Sequence, residues 1–159
     1  MLSTQPAYSA RDTADKTTRA PDIDATHWFN VTAKTFGDLT EKIVVVNFWS
    51  FSCHHSQSML RQLSVLNRNF KRAPFQLISV HTPKLAFEAD VNSVARAVKD
   101  YRITWPVAVD SDRLNYNAFE IKFWPTCILI DKDGVVRGRY IGAGGFAQLA
   151  RDTQALLLK

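Results

Sequence analysis

A chain of 159 residues, 46% hydrophobic and 22% charged, has apolar material for one core and is too short to expect a second domain. Its net charge of +5 and pI near 9.4 come from scattered basic residues, which favour acidic partners only weakly, and no nucleic-acid motif occurs. No window reaches the eighteen or so consecutive apolar residues of a membrane span, the N-terminus has no apolar signal core, and two cysteines are too few for a disulfide framework.

Residues 1–21 are rich in Ser, Thr, Ala, Asp and Arg without periodicity and are expected to form a flexible leader, a removed signal or anchor being one origin for it. Residues 22–159 then form the domain. Trp28 and Phe29 can pin the segment 25–31 to the body, and 36–40 reads as a short turn or helix. Ile43–Trp49 is apolar on both faces apart from Asn47, which suits a central strand covered by helices on each side. After Cys53 the period changes: Met59, Leu63, Leu66 and Phe70, with Leu60 beside them, make one stripe of a helix. Cys53 therefore falls where a buried strand turns into a helix, and the unpaired amides and positive dipole end of a helix start stabilise a thiolate. Lys71 and Arg72 suit the negative end of that helix, and Pro74 breaks it.

A second buried strand is predicted over 75–80, followed by His81-Thr82-Pro83 and a helix over about 88–101 with Val91, Val94, Val98 and Tyr101 on one face. A brief strand over 106–109, a turn at Asp110-Ser111-Asp112 and a short helix over 114–120 come next. Beyond Trp124-Pro125, strands over 126–130 and 135–141 flank the turn Asp131-Lys132-Asp133-Gly134 and form a hairpin. Gly144-Gly145 opens a last helix carrying Phe146, Leu149, Ala150, Leu156 and Leu157. There is no internal repeat. Alternating strands and helices that end in a hairpin and a helix imply an α/β domain, a mixed central β-sheet flanked by helices on both faces.

Two readings of Cys53 stand side by side. Most free cysteines are small buried hydrophobes, but this one is flanked by Ser52, His54 and His55 at a helix start, the setting of a reactive thiol. Cys127 lies in the apolar run Cys-Ile-Leu-Ile and is expected to point into the core. Trp49, Phe51 and Trp124 can form a surface that grips a partner, and for Trp49 and Phe51 the alternative is packing under the loop. Cys53, His54, His55 and His81 are soft and borderline donors, yet adjacent helical residues diverge by about 100° and rarely share an ion. Copper handling therefore ranks last, and neither a metal site nor a cofactor is expected.

Phe-Trp-Ser-Phe-Ser-Cys at 48–53, His-Thr-Pro-Lys-Leu-Ala-Phe-Glu at 81–88, Trp-Pro-Val-Ala-Val-Asp at 105–110 and Trp-Pro-Thr-Cys-Ile-Leu-Ile-Asp-Lys-Asp-Gly at 124–134 resemble the thioredoxin superfamily. Within it they are similar to the TlpA-like redoxin branch and its DipZ-type domains, over about residues 20–158. The resemblance implies a thioredoxin-like fold with a helix-strand insertion at about 88–110, and thiol-disulfide exchange. Cys53 matches the nucleophile, but Ser56 occupies the position of the resolving cysteine, giving Cys-His-His-Ser. A hydroxyl forms no disulfide, so a mixed disulfide on Cys53 must wait for an external thiol. Ser56 is read either as an engineered replacement or as the mark of a native monothiol protein.

The resemblance also implies that His55, where the strongly oxidising DsbA-type proteins carry histidine, favours the thiolate. Pro125 matches a cis-proline facing the cysteine, and Trp49, Phe51, His54, Trp124 and Pro125 match substrate-binding positions. Asn47 stands where thioredoxin has a buried carboxylate, and Cys127 is an alternative resolving thiol. Implied partners are protein thiol or disulfide substrates and an external thiol reductant or redox partner, in an extracytoplasmic location. A non-catalytic thioredoxin-fold binding module is the alternative. The Sco-type copper proteins of this fold use a Cys-x-x-x-Cys loop that this chain lacks.

Overall fold

The computed structural model describes residues 11–12, 18–31 and 36–159. Its strands are β1 (Arg11–Asp12), β2 (Trp28–Phe29), β3 (Ile43–Trp49), β4 (Phe75–His81), β5 (Val107–Val109), β6 (Thr126–Ile130) and β7 (Val136–Ile141). The helices are α1 (His54–Asn69), α2 (Val91–Asp100), α3 (Leu114–Ala118) and α4 (Phe146–Leu157), with shorter 3₁₀ turns at Phe36–Leu39, Ala86–Ala89 and Ala143–Gly145.

All seven residues of β3 are buried, as a β-branched run without alternating polarity requires of a strand covered on both faces. It runs parallel to β4 and antiparallel to β6, and the mixed sheet has the order β1-β7-β6-β3-β4-β5-β2. Successive side chains of a strand point to opposite faces, so the sheet separates two apolar clusters. Val45, Trp49, Leu77 and Leu129 pack with Met59, Leu63 and Leu66 of α1, Val94 and Val98 of α2 and Leu149 of α4. On the other face Val44, Val46, Phe48, Ile78 and Val80 meet Ile23, Leu39, Tyr116, Phe119 and Ile121. Burying the four apolar side chains Met59, Leu60, Leu63 and Leu66 contributes about 6–12 kcal/mol of gross transfer free energy to holding α1 on the sheet.

Three expected element bounds change, and part of the N-terminal stretch is paired with the sheet. The stretch 1–21 was expected to be a leader outside the domain. Among its described residues, however, Arg11–Asp12 pair with Tyr140 and Arg139 of β7, and Arg19 bridges Val135. The edge of β7 offers unpaired backbone groups that composition alone does not reveal; residues 1–10 and 13–17 lie outside the described set. The helix expected over 88–101 begins later, because the Asp90 carboxylate accepts from the Ser93 amide at 2.9 Å as an N-cap, and Glu88 falls in the 3₁₀ turn before it. Finally, α3 is shorter than 114–120 and β7 starts one residue after 135. The insertion at about 88–110 is accordingly α2 plus β5, and β5 gives β4 a parallel neighbour.

Candidate active site

Where β3 stops, Thr82 N–H caps the Trp49 carbonyl and the chain turns, Cys53 N–H returning to the Ser50 carbonyl at 3.1 Å. Cys53 is the N-cap of α1 (φ −89°, ψ 115°), the position at which a Ser or Asp oxygen accepts from the first-turn amides. It makes no side-chain cap bond to those amides. A thiolate is the species they would hold. The thiol is 6% exposed, and its S–H donates to the Trp124 carbonyl at 3.8 Å, beside the cis Trp124-Pro125 peptide.

Ser56, on the first turn of α1, is fully buried, and its hydroxyl accepts the Ser50 N–H at 3.3 Å. His54 and His55 point outward as exposed residues with their rings 6.2 Å apart. Among the described residues neither ring hydrogen-bonds to Cys53.

Below the loop lies Glu88, to which the sequence reading gave no role. Glu88 is fully buried and accepts from Ser50 Oγ (2.8 and 2.9 Å), Ser52 N–H (2.9 Å), Lys84 N–H (2.5 Å) and Leu85 N–H (3.3 Å). Burial alone would raise its carboxyl, but the hydrogen bonds from Ser52, Lys84 and Ser50 outweigh it and hold the group below the ordinary value. His81 lies beside it, stacked on Phe51 (5.1 Å) and edge-on to Trp49 (4.9 Å). The Phe51 N–H donates to its Nε2 at 3.3 Å, so the proton of the neutral ring is on Nδ1. Burial lowers its pKa to about 4, against a smaller opposing pull from the Glu88 carboxylate. The strand end and the insertion therefore fasten residues 50–52 from beneath. A legible signal existed: Asp90 followed by Ser93 marks a helix start, which leaves Glu88 outside the helix.

On the other side of Cys53, the Trp124 indole N–H donates to the Thr82 carbonyl at 3.2 Å and its ring stacks on Tyr116 at 4.9 Å. The Trp124 backbone N–H and C=O pair with no other backbone group among the described residues. Asp110 fixes this wall, accepting from Thr82 Oγ1, Asn115 N–H and side-chain amide, and Tyr116 N–H at 2.7–2.9 Å.

Of the aromatic residues expected to meet substrate, Trp124 and Phe51 are partly exposed beside the thiol, and Phe51 also touches the exposed Phe87. Trp49 takes the packing alternative: it is fully buried between His81 and Tyr101, because its odd-numbered place in β3 turns it under α1. Cys127 is fully buried too, and burial pushes its thiol well above the ordinary range. It donates to Asn47 Oδ1 at 3.5 Å, and Asn47 and Trp105 both donate to Ser79 Oγ, a polar seam inside the sheet. Among the described residues no group of three or more His, Cys, Asp or Glu side chains could hold a metal ion.

The model of the AhpC/TSA family matches residues 17–139. The chain is 30% identical over 131 residues to the protein DipZ of Mycobacterium tuberculosis, covering 80% of this chain but 19% of that one. It is 26% identical over 130 residues to the thiol-disulfide oxidoreductase YkuV of Bacillus subtilis, covering 82% and 87% respectively. A Chlorobium tepidum structure described as a thiol:disulfide interchange protein DsbE superposes with a TM-score of 0.80 at 22% identity, covering 90% of this chain and 98% of that one. The fold is thus thioredoxin-like, and the chain belongs to the AhpC/TSA family, among its thiol-disulfide oxidoreductase-like redoxins.

Proposed function

We propose that this domain exchanges thiols and disulfides through Cys53 alone. The Cys53 thiolate attacks one sulfur of a substrate disulfide, a Cys53–substrate mixed disulfide forms, and the other substrate sulfur leaves as a thiolate. One substrate sulfur is reduced and Cys53 is oxidised, its proton having passed to solvent. Ser56 cannot resolve the product, so an external thiol attacks the mixed disulfide and restores Cys53. The observation that carries this reading is the N-cap position of Cys53, uncapped by its own side chain and set against the Trp124 carbonyl.

In this scheme His55, exposed on the first turn, adds positive charge near the sulfur when protonated. The backbone groups of Trp124, which pair with no other backbone group among the described residues, lie next to Pro125 and receive an extended substrate segment, with Phe51 and His54 at its margin. Cys127, buried against Asn47, takes no part. The substrates are protein thiols or disulfides, and the setting is extracytoplasmic.

The test is Ser56→Cys. That variant should form an intramolecular 53–56 disulfide under mild oxidation and reduce insulin disulfides, whereas the Ser56 protein should accumulate a stable mixed disulfide that Cys53→Ala abolishes. Failure of Cys53 to form any mixed disulfide would refute the proposal. The alternative of a binding module draws on the low exposure of Cys53 together with the exposed Phe87 and Phe123 near the loop. It requires that partner capture survive Cys53→Ala.

A further inference from the structure

Arg113 stands out in the wall beside Cys53. The residue adopts a left-handed backbone (φ 63°, ψ 22°) at the turn into α3, and its guanidinium carbon lies 4.4 Å from the Tyr116 ring centre and 5.4 Å from that of Trp124. A guanidinium on an aromatic face is held in place while its N–H edge stays free to bond. Among the described residues this edge has no hydrogen-bond or ion-pair partner. Asp110, the nearest buried acid in the chain, already accepts from Thr82, Asn115 and Tyr116, and the exposed neighbour Asp112 makes no ion pair with it. Glu88 is likewise committed to Ser50, Ser52, Lys84 and Leu85. The cation is therefore left unmatched among the described residues.

Trp124 joins this cation to the reaction centre. Its carbonyl meets the Cys53 sulfur at 3.8 Å, while its ring carries Arg113. The two sites are one tryptophan apart, a span that an extended chain rising ~3.3 Å per residue crosses in about three residues. A planar two-oxygen anion matches the paired donors of a guanidinium. We infer that Arg113 is a specificity-determining residue that binds a carboxylate of the disulfide attacked by Cys53, so that carboxylate-bearing disulfides react in preference to neutral ones. Two sources share this chemistry: an acidic side chain about three residues from a substrate cysteine, and a small disulfide carrying its own carboxylates.

The inference rests on Cys53 exchange, and the test keeps the two separable. Second-order rates of the reduced protein are measured at low salt with 5,5′-dithiobis(2-nitrobenzoate), which is anionic, and with 4,4′-dithiodipyridine, which is neutral. A second pair of probes consists of disulfide-linked peptides with Glu or Gln three residues from the cysteine. Cys53→Ala supplies the background. The expected result is an anionic-to-neutral rate ratio that falls about five-fold in Arg113→Gln and is partly kept in Arg113→Lys, as for a half-exposed ion pair.

Lys132→Gln, at the far hairpin, removes the same net charge and should leave the ratio as in the wild type. A preference confined to the peptides assigns the carboxylate to protein substrates; one confined to the small disulfide assigns it to a low-molecular-weight thiol. Either supports the inference. An equal ratio in wild type and Arg113→Gln, or an equal drop in Lys132→Gln, overturns it and leaves Cys53 exchange standing. No Cys53-dependent reaction with the neutral disulfide overturns both.

Discussion

Glu88→Gln tests the anchoring of the cysteine loop. The substitution keeps size and one carbonyl oxygen but replaces the other oxygen by NH₂. Oε1 accepts from Ser50 and the Ser52 amide, and Oε2 from Ser50 and the Lys84 and Leu85 amides. In either orientation the new NH₂ therefore faces a backbone N–H that cannot accept. One buried donor is then unsatisfied, at about 1–3 kcal/mol, and the remaining bonds fall from charge-assisted to neutral strength, at about 1 kcal/mol each. The expected loss is about 3–5 kcal/mol, a large part of the 5–15 kcal/mol typical of a domain. Urea unfolding at pH 7 measures it.

The pH dependence has a definite sign. A carboxyl held below its ordinary value of 4.5 contributes stability that is fully present above that value and is lost as pH falls through the lower native value. The gap between wild type and Glu88→Gln should close in that acidic range. A loss under about 1 kcal/mol at pH 7, or a gap independent of pH, would refute the role of Glu88 as an ionised anchor.

His81 predicts a separate acid limb. Its native pKa of about 4 lies below the ordinary 6.5, so its contribution is complete above pH 6.5 and declines as pH falls to about 4. Protonation of Nε2 would set N–H against the Phe51 N–H, and unfolding free energy should drop by about 3 kcal/mol across that window, a loss reduced in His81→Asn. Cys127 should resist iodoacetamide in the native protein and label only on unfolding; native labelling at a rate comparable to Cys53 would contradict its burial. Trp49→Ala should cost about 3–5 kcal/mol in urea unfolding, as a core residue does, and a near-neutral effect would restore it to the surface.

Local pattern was enough for much of this protein. The apolar run of β3, broken only by Asn47, the change of period after Cys53 and the turn signals of the last hairpin each act within a few residues, and they located β3, α1, β6 and β7 nearly to the residue. The same local logic put Cys53 at a helix start. What needed the tertiary structure was decided by residues far apart in the chain. Glu88 is thirty-six positions from the Ser52 amide that it accepts, and a glutamate in a mixed stretch reads as solvated until the fold brings unpaired N–H groups to it. Trp49 and Phe51 look alike in sequence, but the first ends a strand covered on both faces while the loop leaves the second partly exposed. Arg113 carries no signal in its own segment, because its importance comes from Trp124 and Tyr116 arriving beneath it. Short-range order follows from the periodicity of adjacent residues. The site follows from donors and acceptors that only the closed sheet makes neighbours.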